Sequence, residues 1–181
     1  MNHFVEGERV YLRALDLSDI PIWFDWFNDP QVTEHMNKGI FPNTRKAQEE
    51  YFDTVTRSRS DIQLGIVLKE SDRLIGIIGI HKIDWVSRHG DISIVVGDEN
   101  CRGKGIATES VSLIVKHAFM KMNLRRLTAG TPESNIGCRR CFEKNGFVLE
   151  GVKRKHLFSN GAYIDVCFFG LLREDWKHGK A

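Results

Sequence analysis

A small, basic turn between a strand and a helix is the segment of this sequence best suited to chemistry. Gly103, Gly105 and Ala107 are small, so the backbone can approach a ligand closely. The free N–H groups of the first helical turn point outward at the positive end of the helix dipole. Arg102 and Lys104 add positive charge. This combination predicts an anion site that suits a pyrophosphate group.

Two common nucleotide-binding patterns do not match this turn. The GxGxxG pattern would need a third glycine, and the GxxxxGK[ST] pattern would need a Lys-Ser/Thr pair. Taken alone, the two glycines also fit a plain connection between a strand and a helix. The segment therefore indicates a different cofactor that carries a pyrophosphate.

Length and composition favour one domain, residues 1–181. A chain of 181 residues with 41% hydrophobic residues can build a sizeable core. The formal net charge is only +2, which argues against nucleic acid as the main partner. No stretch reaches the roughly 18 apolar residues of a membrane span, and the N-terminus lacks a signal-peptide core. We therefore expect a cytoplasmic protein without a membrane partner.

Four cysteines are few for this length and fit a reducing compartment. Cys138 and Cys141 form a CxxC pair, but the sequence has no second pair at metal-binding spacing. We therefore predict no metal and expect ordinary core or surface thiols, with the CxxC pair on a helix.

Hydrophobic periodicity places the turn in the order β-α-α-β-β-β-α-β-α-β-β. Strands are predicted at residues 9–14, 62–68, 74–83, 91–96, 127–131, 148–158 and 163–172. Helices are predicted from Ser18 to residue 28, from Asn43 or Thr44 to 55, from 105 to near 122, and over 136–145. The pair Asn160-Gly161 is typical of a type I′ turn between the last two strands.

Two motifs resemble those of the GNAT acetyltransferase superfamily. The first, Gln/Arg-x-x-Gly-x-Gly/Ala after a strand, is matched by Arg102, Gly105 and Ala107. The second runs from an Asn through a small and an aromatic residue to Glu-Lys-x-Gly-Phe. It is matched by Asn135, Cys138, Phe142, Glu143, Lys144, Gly146 and Phe147. Over nearly its whole length the chain resembles the branch with ribosomal-protein N-terminal and amino-sugar acetyltransferases.

The resemblance implies an α+β GNAT fold. Its central sheet would be mixed and mostly antiparallel, with about seven strands flanked by four helices. The fourth and fifth strands would splay apart, with the pantetheine of acetyl-CoA in the gap and its pyrophosphate on the loop. The implied cofactor-binding residues are Val95, Val96, Arg102, Gly103, Lys104, Gly105, Ile106, Ala107, Thr108 and Asn135.

The resemblance also implies that the acceptor amine attacks the thioester directly. Such a reaction needs a proton acceptor and a place for the developing oxyanion, which backbone amides near Val95 can supply. Asp91 is the first candidate for the base, acting through a water, because it begins the strand where relatives often have Glu. A plain surface carboxylate is the alternative, and His81 and Asp84 are the next candidates. Asn135 is expected to bond pantetheine or order water, or else only to cap a helix.

Phe142 departs from the family pattern. Many relatives have a Tyr there that protonates the leaving thiolate, and Phe has no proton to give. Ser134, Cys138, water or unaided departure of the thiolate remain as alternatives. A non-catalytic acyl-CoA-binding module is the rival that this departure raises.

The acceptor site is expected between the first two helices and the final hairpin. Five aromatic side chains could line it or belong to the core: Trp23, Trp26, Phe27, Phe41 and Tyr51. Arg154, Lys155 and His156 beside Tyr163 could hold a phosphate of a nucleotide-linked amino sugar. We predict a small-molecule amine, such as an amino sugar, ahead of a protein N-terminus. The sequence leaves a homodimer open.

Overall fold

Eight strands form one sheet in the computed structural model, which describes residues 3–36, 38 and 40–177. The strands are β1 (Val5–Glu6), β2 (Val10–Ala14), β3 (Ile62–Leu68), β4 (Arg73–Asp84), β5 (His89–Val96), β6 (Arg126–Pro132), β7 (Val148–Ser159) and β8 (Ala162–Leu172). Their order across the sheet is β1-β2-β3-β4-β5-β6-β8-β7. Neighbouring strands are antiparallel except for the parallel pair β5 and β6.

Five α-helices are present in the described part of the chain. They are α1 (Ile20–Asn28), α2 (Pro30–Thr33), α3 (Arg45–Arg57), α4 (Ile106–Met120) and α5 (Ile136–Lys144). Helix α4 buries Ile106, Ser110 and Ile114 at a spacing of four residues, because that spacing places side chains on one helical face. This face joins the main core with α5 and the sheet. On α1 and α3, Trp23, Phe27 and Phe52 form a second cluster with Ile77 of β4.

This architecture confirms the predicted mostly antiparallel sheet, and it adds one strand and one helix. Strand β1 has only two residues, which is too short for a periodic pattern. Helix α2 begins at Pro30, which we expected only to end the preceding helix. Proline is tolerated at the first helical position because its missing N–H would have no partner there. The Asp29 side chain caps α2 by accepting a hydrogen bond from Gln31 N at 2.8 Å.

The start of the first helix also differs from the prediction. Asp16, not Ser18, caps a short 3₁₀ turn, and its side chain accepts from Ser18 N at 2.9 Å. Helix α1 begins after this turn, at Ile20. At the other predicted cap, Thr44 accepts from Ala47 N at 3.2 Å, as expected.

Strands β5 and β6 separate towards their C-terminal ends, as the two splayed strands were expected to do. Their pairing joins residues 89–92 with residues 126–129, and no further pair follows in the described chain. Beyond this point β5 stays paired with β4 up to Val96, while β6 stays paired with β8 up to Pro132. A gap therefore opens between two strand edges whose backbone groups are available to a ligand.

Candidate functional site

The glycine turn lies between the end of β5 and the start of α4, at the open end of this gap. Gly103 and Gly105 have φ angles of 71° and 79°, in the left-handed region that glycine occupies without steric cost. A Cβ on Gly103 would have no heavy atom within 4 Å, and one on Gly105 would lie 3.3 Å from Arg9 Nη2. The turn therefore faces open space, and a pyrophosphate would fit against it.

The first turn of α4 adds backbone N–H donors beside the glycine turn. Gly105 is the N-cap residue, and the N–H groups that follow have no partner within the helix. The Ile106 side chain is buried, so it fixes the start of the helix to the core. Ala107 and Thr108 are half-buried beside it. The predicted loop residues are thus brought together with their small side chains and basic groups at one helix end.

Arg102 connects the loop to β5. Its Nε donates to the Val96 carbonyl oxygen at 3.2 Å, and its Nη2 donates to the Gly97 oxygen at 3.5 Å. Lys104 is exposed on the same loop. Both predicted cations therefore lie at the mouth of the gap, where they can oppose the charge of a phosphate.

Arg9 braces the loop from the start of β2, a feature that the sequence analysis missed. Its Nη1 donates to the Lys104 carbonyl oxygen at 2.7 Å, and its Nε donates to Glu109 Oε2 at 3.0 Å. Glu109 Oε1 also accepts from the backbone N–H of Arg9 at 2.9 Å. Burial raises the pKa of Glu109, but hydrogen bonds from Arg9 and Val10 outweigh it and lower the pKa. An ionised Glu109 therefore holds Arg9 in place against the loop.

Val95 and Val96 lie beside the gap, on the part of β5 that is not paired with β6. Their side chains point to opposite faces, Val95 towards the α1 and α3 cluster and Val96 towards the main core. Side-chain packing and backbone binding are therefore compatible at these positions. Their predicted contact with pantetheine and the thioester stays a prediction.

Asn135 stands at the N-terminus of α5, just after the end of β6. Its Oδ1 accepts a hydrogen bond from Cys138 N at 3.1 Å, so the side chain caps the helix. Capping uses the oxygen, and the amide nitrogen remains a donor suited to a ligand. Phe142, two helical turns after Asn135, is 1% exposed and packs against Phe147 and Phe169. Phe142 is therefore a core residue.

Asp91 lies at the closed end of the gap. Its Cα partner on β6 is Thr128, whose Oγ1 donates to Asp91 Oδ1 at 2.7 Å. Four residues separate Asp91 from Val95, which is about 13 Å along a strand. Asp91 would therefore need a water or another side chain to reach an amine near Val95. Asp84 is the last residue of β4, and its carboxylate accepts from the backbone N–H groups of Val86 and Ser87 in the turn that follows.

His81 contacts two polar side chains on the α1 and α3 side of the sheet. Its Nε2 lies 2.8 Å from Ser93 Oγ, and its Nδ1 lies 3.2 Å from Asp61 Oδ1. Ser93 is two residues from Asp91 and from Val95, so strand alternation puts all three on one face. The sequence analysis named His81 but missed Ser93 and Asp61, although alternation alone could have indicated Ser93.

A pocket of about 270 Å³ lies between α1, α3 and the sheet beside Val95. Its lining residues are Phe27, Met36, Lys38, Asn43, Ala47, Gln48, Tyr51, Gln63, Ile77, Ser93 and Val95. Tyr51 OH donates to Gln63 Oε1 at 2.8 Å. The Lys38 ammonium lies 5.2 Å from the centre of the Phe27 ring and 5.9 Å from that of Tyr51. The described lining contains one cation and no carboxylate.

The five aromatic candidates for the acceptor site divide between pocket, core and surface. Phe27 and Tyr51 line the pocket, whereas Trp23 is fully buried and Phe41 is 82% exposed. Trp26 covers the end of β5, where a Cβ on Gly97 would lie 2.1 Å from its ring. Of the five aromatic candidates, two therefore line the pocket: Phe27 and Tyr51.

The basic side chains of the final hairpin lie outside this pocket. Asn160 and Gly161 have φ angles of 48° and 80°, which confirms the type I′ turn. Val166 is opposite Pro132 at the end of β6, so residues 153–165 extend past that strand end. Arg154, Lys155, His156 and Tyr163 are exposed there.

A second hollow, of about 420 Å³, lies at the opposite end of the sheet. It is lined by Arg88, Leu124, Arg125, Arg173 and Glu174. These residues precede β5 and β6 or follow β8, so the hollow is remote from the gap. Across the described ranges, no three His, Cys, Asp or Glu side chains cluster as they would around a metal ion. No helix there has the length and apolar character needed to cross a membrane.

Comparison with known proteins agrees with this geometry. The family model described as an acetyltransferase (GNAT) domain matches residues 9–148. An uncharacterized N-acetyltransferase, p20 of Bacillus licheniformis, is 29% identical over 171 residues, covering 93% of this chain and 96% of the relative. The ribosomal-protein-serine acetyltransferase of Escherichia coli is 28% identical over 130 residues, covering 72% of this chain and 70% of the relative.

A solved structure has the same fold. The spermidine N-acetyltransferase of Vibrio cholerae, in complex with CoA and spermine, has a TM-score of 0.86 at 21% identity. The match covers 93% of this chain and 98% of that one. Since the family model spans more than half of the chain, the protein belongs to the GNAT family and is an acetyl-CoA-dependent N-acetyltransferase.

Proposed function

We propose that this enzyme acetylates a small-molecule amine, and that the acceptor is an amino sugar. The pocket beside Val95 carries the proposal. Its volume of about 270 Å³ is close to the lower end of small-ligand sites, about 300 Å³. Its polar lining consists mainly of amide and hydroxyl groups, from Asn43, Gln48, Gln63 and Ser93. Such groups both donate and accept hydrogen bonds, which suits a ligand rich in hydroxyl groups.

The charge of the pocket argues against a polyamine acceptor. Lys38 is the charged residue of the described lining, and no described lining residue is acidic. A polyamine would bring several positive charges near Lys38 without a carboxylate to balance them. The related spermidine acetyltransferase acts on such a ligand, so its acceptor is a poor guide here.

The final hairpin offers a place for an anionic group on the sugar. Arg154, Lys155 and His156 are exposed beyond the end of β6. Arg and Lys are the side chains that bind phosphate most readily. A nucleotide-linked amino sugar could therefore have its amine in the pocket and a phosphate on the hairpin.

In this proposal the amine attacks the thioester carbon directly. The backbone of Val95 and Val96 would bind pantetheine and the developing oxyanion, and the loop from Arg102 to Thr108 would bind the pyrophosphate. Asn135 would hold pantetheine or a water through its amide. If Asp91 accepts the proton through a water, Asp91→Asn should lower turnover much more than CoA affinity; unchanged turnover would assign the base to another group.

A protein N-terminus is the second candidate acceptor. It is favoured by the similarity to a ribosomal-protein-serine acetyltransferase over 72% of this chain. The polar pocket can also hold the first one or two residues of a peptide that begins with Ser or Ala.

Thiol release from acetyl-CoA tests these acceptors. The panel contains amino sugars with and without a nucleotide, spermidine, spermine, and peptides that begin with Ser or Ala. Release that depends on an amino sugar supports the proposal, and a higher kcat/KM for the nucleotide-linked form supports the hairpin site. A higher kcat/KM for the peptides or for spermidine would refute the small-sugar assignment. CoA binding without release by any amine would favour a non-catalytic module.

A further inference from the structure

We propose that Ser93, His81 and Asp61 form a proton relay that accepts a proton from the acceptor amine. The proposal rests on the proposed function, because it places the amine in the pocket beside Val95. Ser93 lines that pocket and is exposed to it. His81 Nε2 lies 2.8 Å from Ser93 Oγ, and Asp61 Oδ1 lies 3.2 Å from His81 Nδ1. The three groups therefore connect the pocket to a carboxylate.

The register of the sheet creates this arrangement. Ser93 on β5 lies opposite Gly79 on β4, and His81 is two residues further along β4 on the same face. A Cβ on Gly79 would lie 2.8 Å from His81 Nε2. The imidazole of His81 therefore occupies the space that a side chain at position 79 would fill. Because Gly79 has no side chain, the His81 ring can lie over position 79 and bring Nε2 next to Ser93 Oγ.

The hydrogen bonds to Asp61 define the direction of the relay. Its carboxylate accepts from Ser58 Oγ at 2.7 Å, from Ser60 Oγ at 3.2 Å and from Lys82 N at 3.2 Å. Burial raises the pKa of Asp61, but these hydrogen bonds outweigh it and lower the pKa. An ionised carboxylate can only accept, so Nδ1 of His81 carries the hydrogen and donates it. Nε2 then has a free lone pair for the Ser93 hydroxyl proton.

Three other ionisable groups lie near the relay. Asp91 is the cross-strand Cα partner of His81, and its carboxylate accepts from Thr128 Oγ1 at 2.7 Å. Tyr51 of α3 bonds Gln63 in the same pocket, and its pKa is raised by burial and by the charge of Asp61. Lys38 is the cation of the described pocket lining. Of these neighbouring groups and Asp61, Asp61 is the carboxylate that contacts the imidazole, at 3.2 Å from Nδ1.

The proton balance of the reaction is complete with this relay. One N–H bond of the acceptor ammonium breaks, and its proton passes to Ser93 Oγ as the Ser93 proton passes to His81 Nε2. The freed lone pair forms the N–C bond, and the C–S bond breaks with its electrons leaving on the CoA sulfur. The nitrogen also loses a second proton, which ends on that sulfur, and one N–H bond remains in the amide. His81 then releases its proton to solvent.

Three variants test the relay, each assayed with the amine of highest kcat/KM, whatever its class. His81→Gln should lower kcat by about 100-fold or more, since general base catalysis contributes about that much. Ser93→Ala should lower kcat while CoA affinity stays the same. Asp61→Asn removes the negative charge beside His81 Nδ1, so the acidic limb of the pH profile of kcat/KM should move to lower pH. A merely structural role for Asp61 would not move that limb.

His89→Gln is the matched control. His89 also lies on the sheet with a carboxylate partner, Asp84 at 3.8 Å, but at the far end of β5 from Val95. We expect its kcat and pH profile to equal those of the wild type. The relay is refuted if His81→Gln keeps the acidic limb. If Asp91→Asn then removes that limb, Asp91 is the base instead. A wrong substrate class would change which amine is used and leave these pH profiles intact.

Discussion

Gly105→Ala tests whether the left-handed turn is the pyrophosphate site. Gly105 has a φ angle of 79°, where a residue with a Cβ loses about 1–2 kcal/mol. The nearest atom to the added Cβ is Arg9 Nη2 at 3.3 Å, at the end of a side chain that can shift. Backbone strain therefore dominates the cost. In a chain of this length it should lower the Tm by about 2–8 °C.

The same strain should weaken CoA binding. If the turn relaxes by leaving the left-handed region, CoA must restore the binding conformation at a cost of about 1–2 kcal/mol, which corresponds to about 5–30-fold in Kd. Gly105→Glu should remove detectable binding with the fold retained, because it adds a carboxylate where we expect the pyrophosphate to bind. Calorimetric titration with CoA and thermal unfolding followed by circular dichroism measure both effects.

Gly161→Ala is the control for strain alone. Gly161 has a φ angle of 80° and a Cβ there would have no heavy atom within 4 Å, so its substitution carries the same backbone cost. It lies in the hairpin turn, outside the loop that is expected to bind CoA. We expect a similar loss of Tm and an unchanged Kd. A Kd of Gly105→Ala within twofold of the wild type would show that the pyrophosphate binds elsewhere.

Two further predictions follow from buried groups of the site. The pKa of Glu109 is lowered in the folded state, so its contribution to stability is present above the unfolded pKa and is lost as pH falls through the folded pKa. Glu109→Gln should therefore reduce the free energy of unfolding in urea by about 1–2 kcal/mol at pH 7, and by much less at pH 3; an equal loss at both values would contradict the ionised brace. Phe142→Tyr should destabilise the protein by about 1–3 kcal/mol without raising kcat, because its hydroxyl would be buried against Phe147 and Phe169. A rise in kcat would instead show that a Tyr hydroxyl at this position can reach the leaving thiolate.

The sequence by itself determined the features that depend on neighbouring residues. Alternation indicated the seven longer strands, and helical spacing indicated the four longer helices. The paired glycines predicted a turn between a strand and a helix, and Asn160-Gly161 predicted a turn with two positive φ angles. These predictions succeeded because backbone preference and side-chain period are local properties. Strand β1 and helix α2 have two and four residues, which are too few for a period to show.

Only the tertiary structure decided which distant residues meet at the site. Arg9 and Glu109 are 100 positions apart, and their ion pair exists because β2 and α4 pack together. The contact of His81 with Ser93 depends on the register of β4 against β5 and on the missing side chain of Gly79. Neither register nor side-chain direction can be obtained from one isolated segment.

The same limit applies to the roles of individual residues. The sequence placed Asp91 on the strand that borders the gap, but only the pairing of β5 with β6 put it at the closed end, about 13 Å along the strand from Val95. It offered Phe142 as a departure from the family pattern, and the three-dimensional packing made that residue part of the core. Local chemistry predicted the cofactor loop. The pocket proposed for the acceptor is formed by side chains from separate elements, and long-range packing alone brings them together.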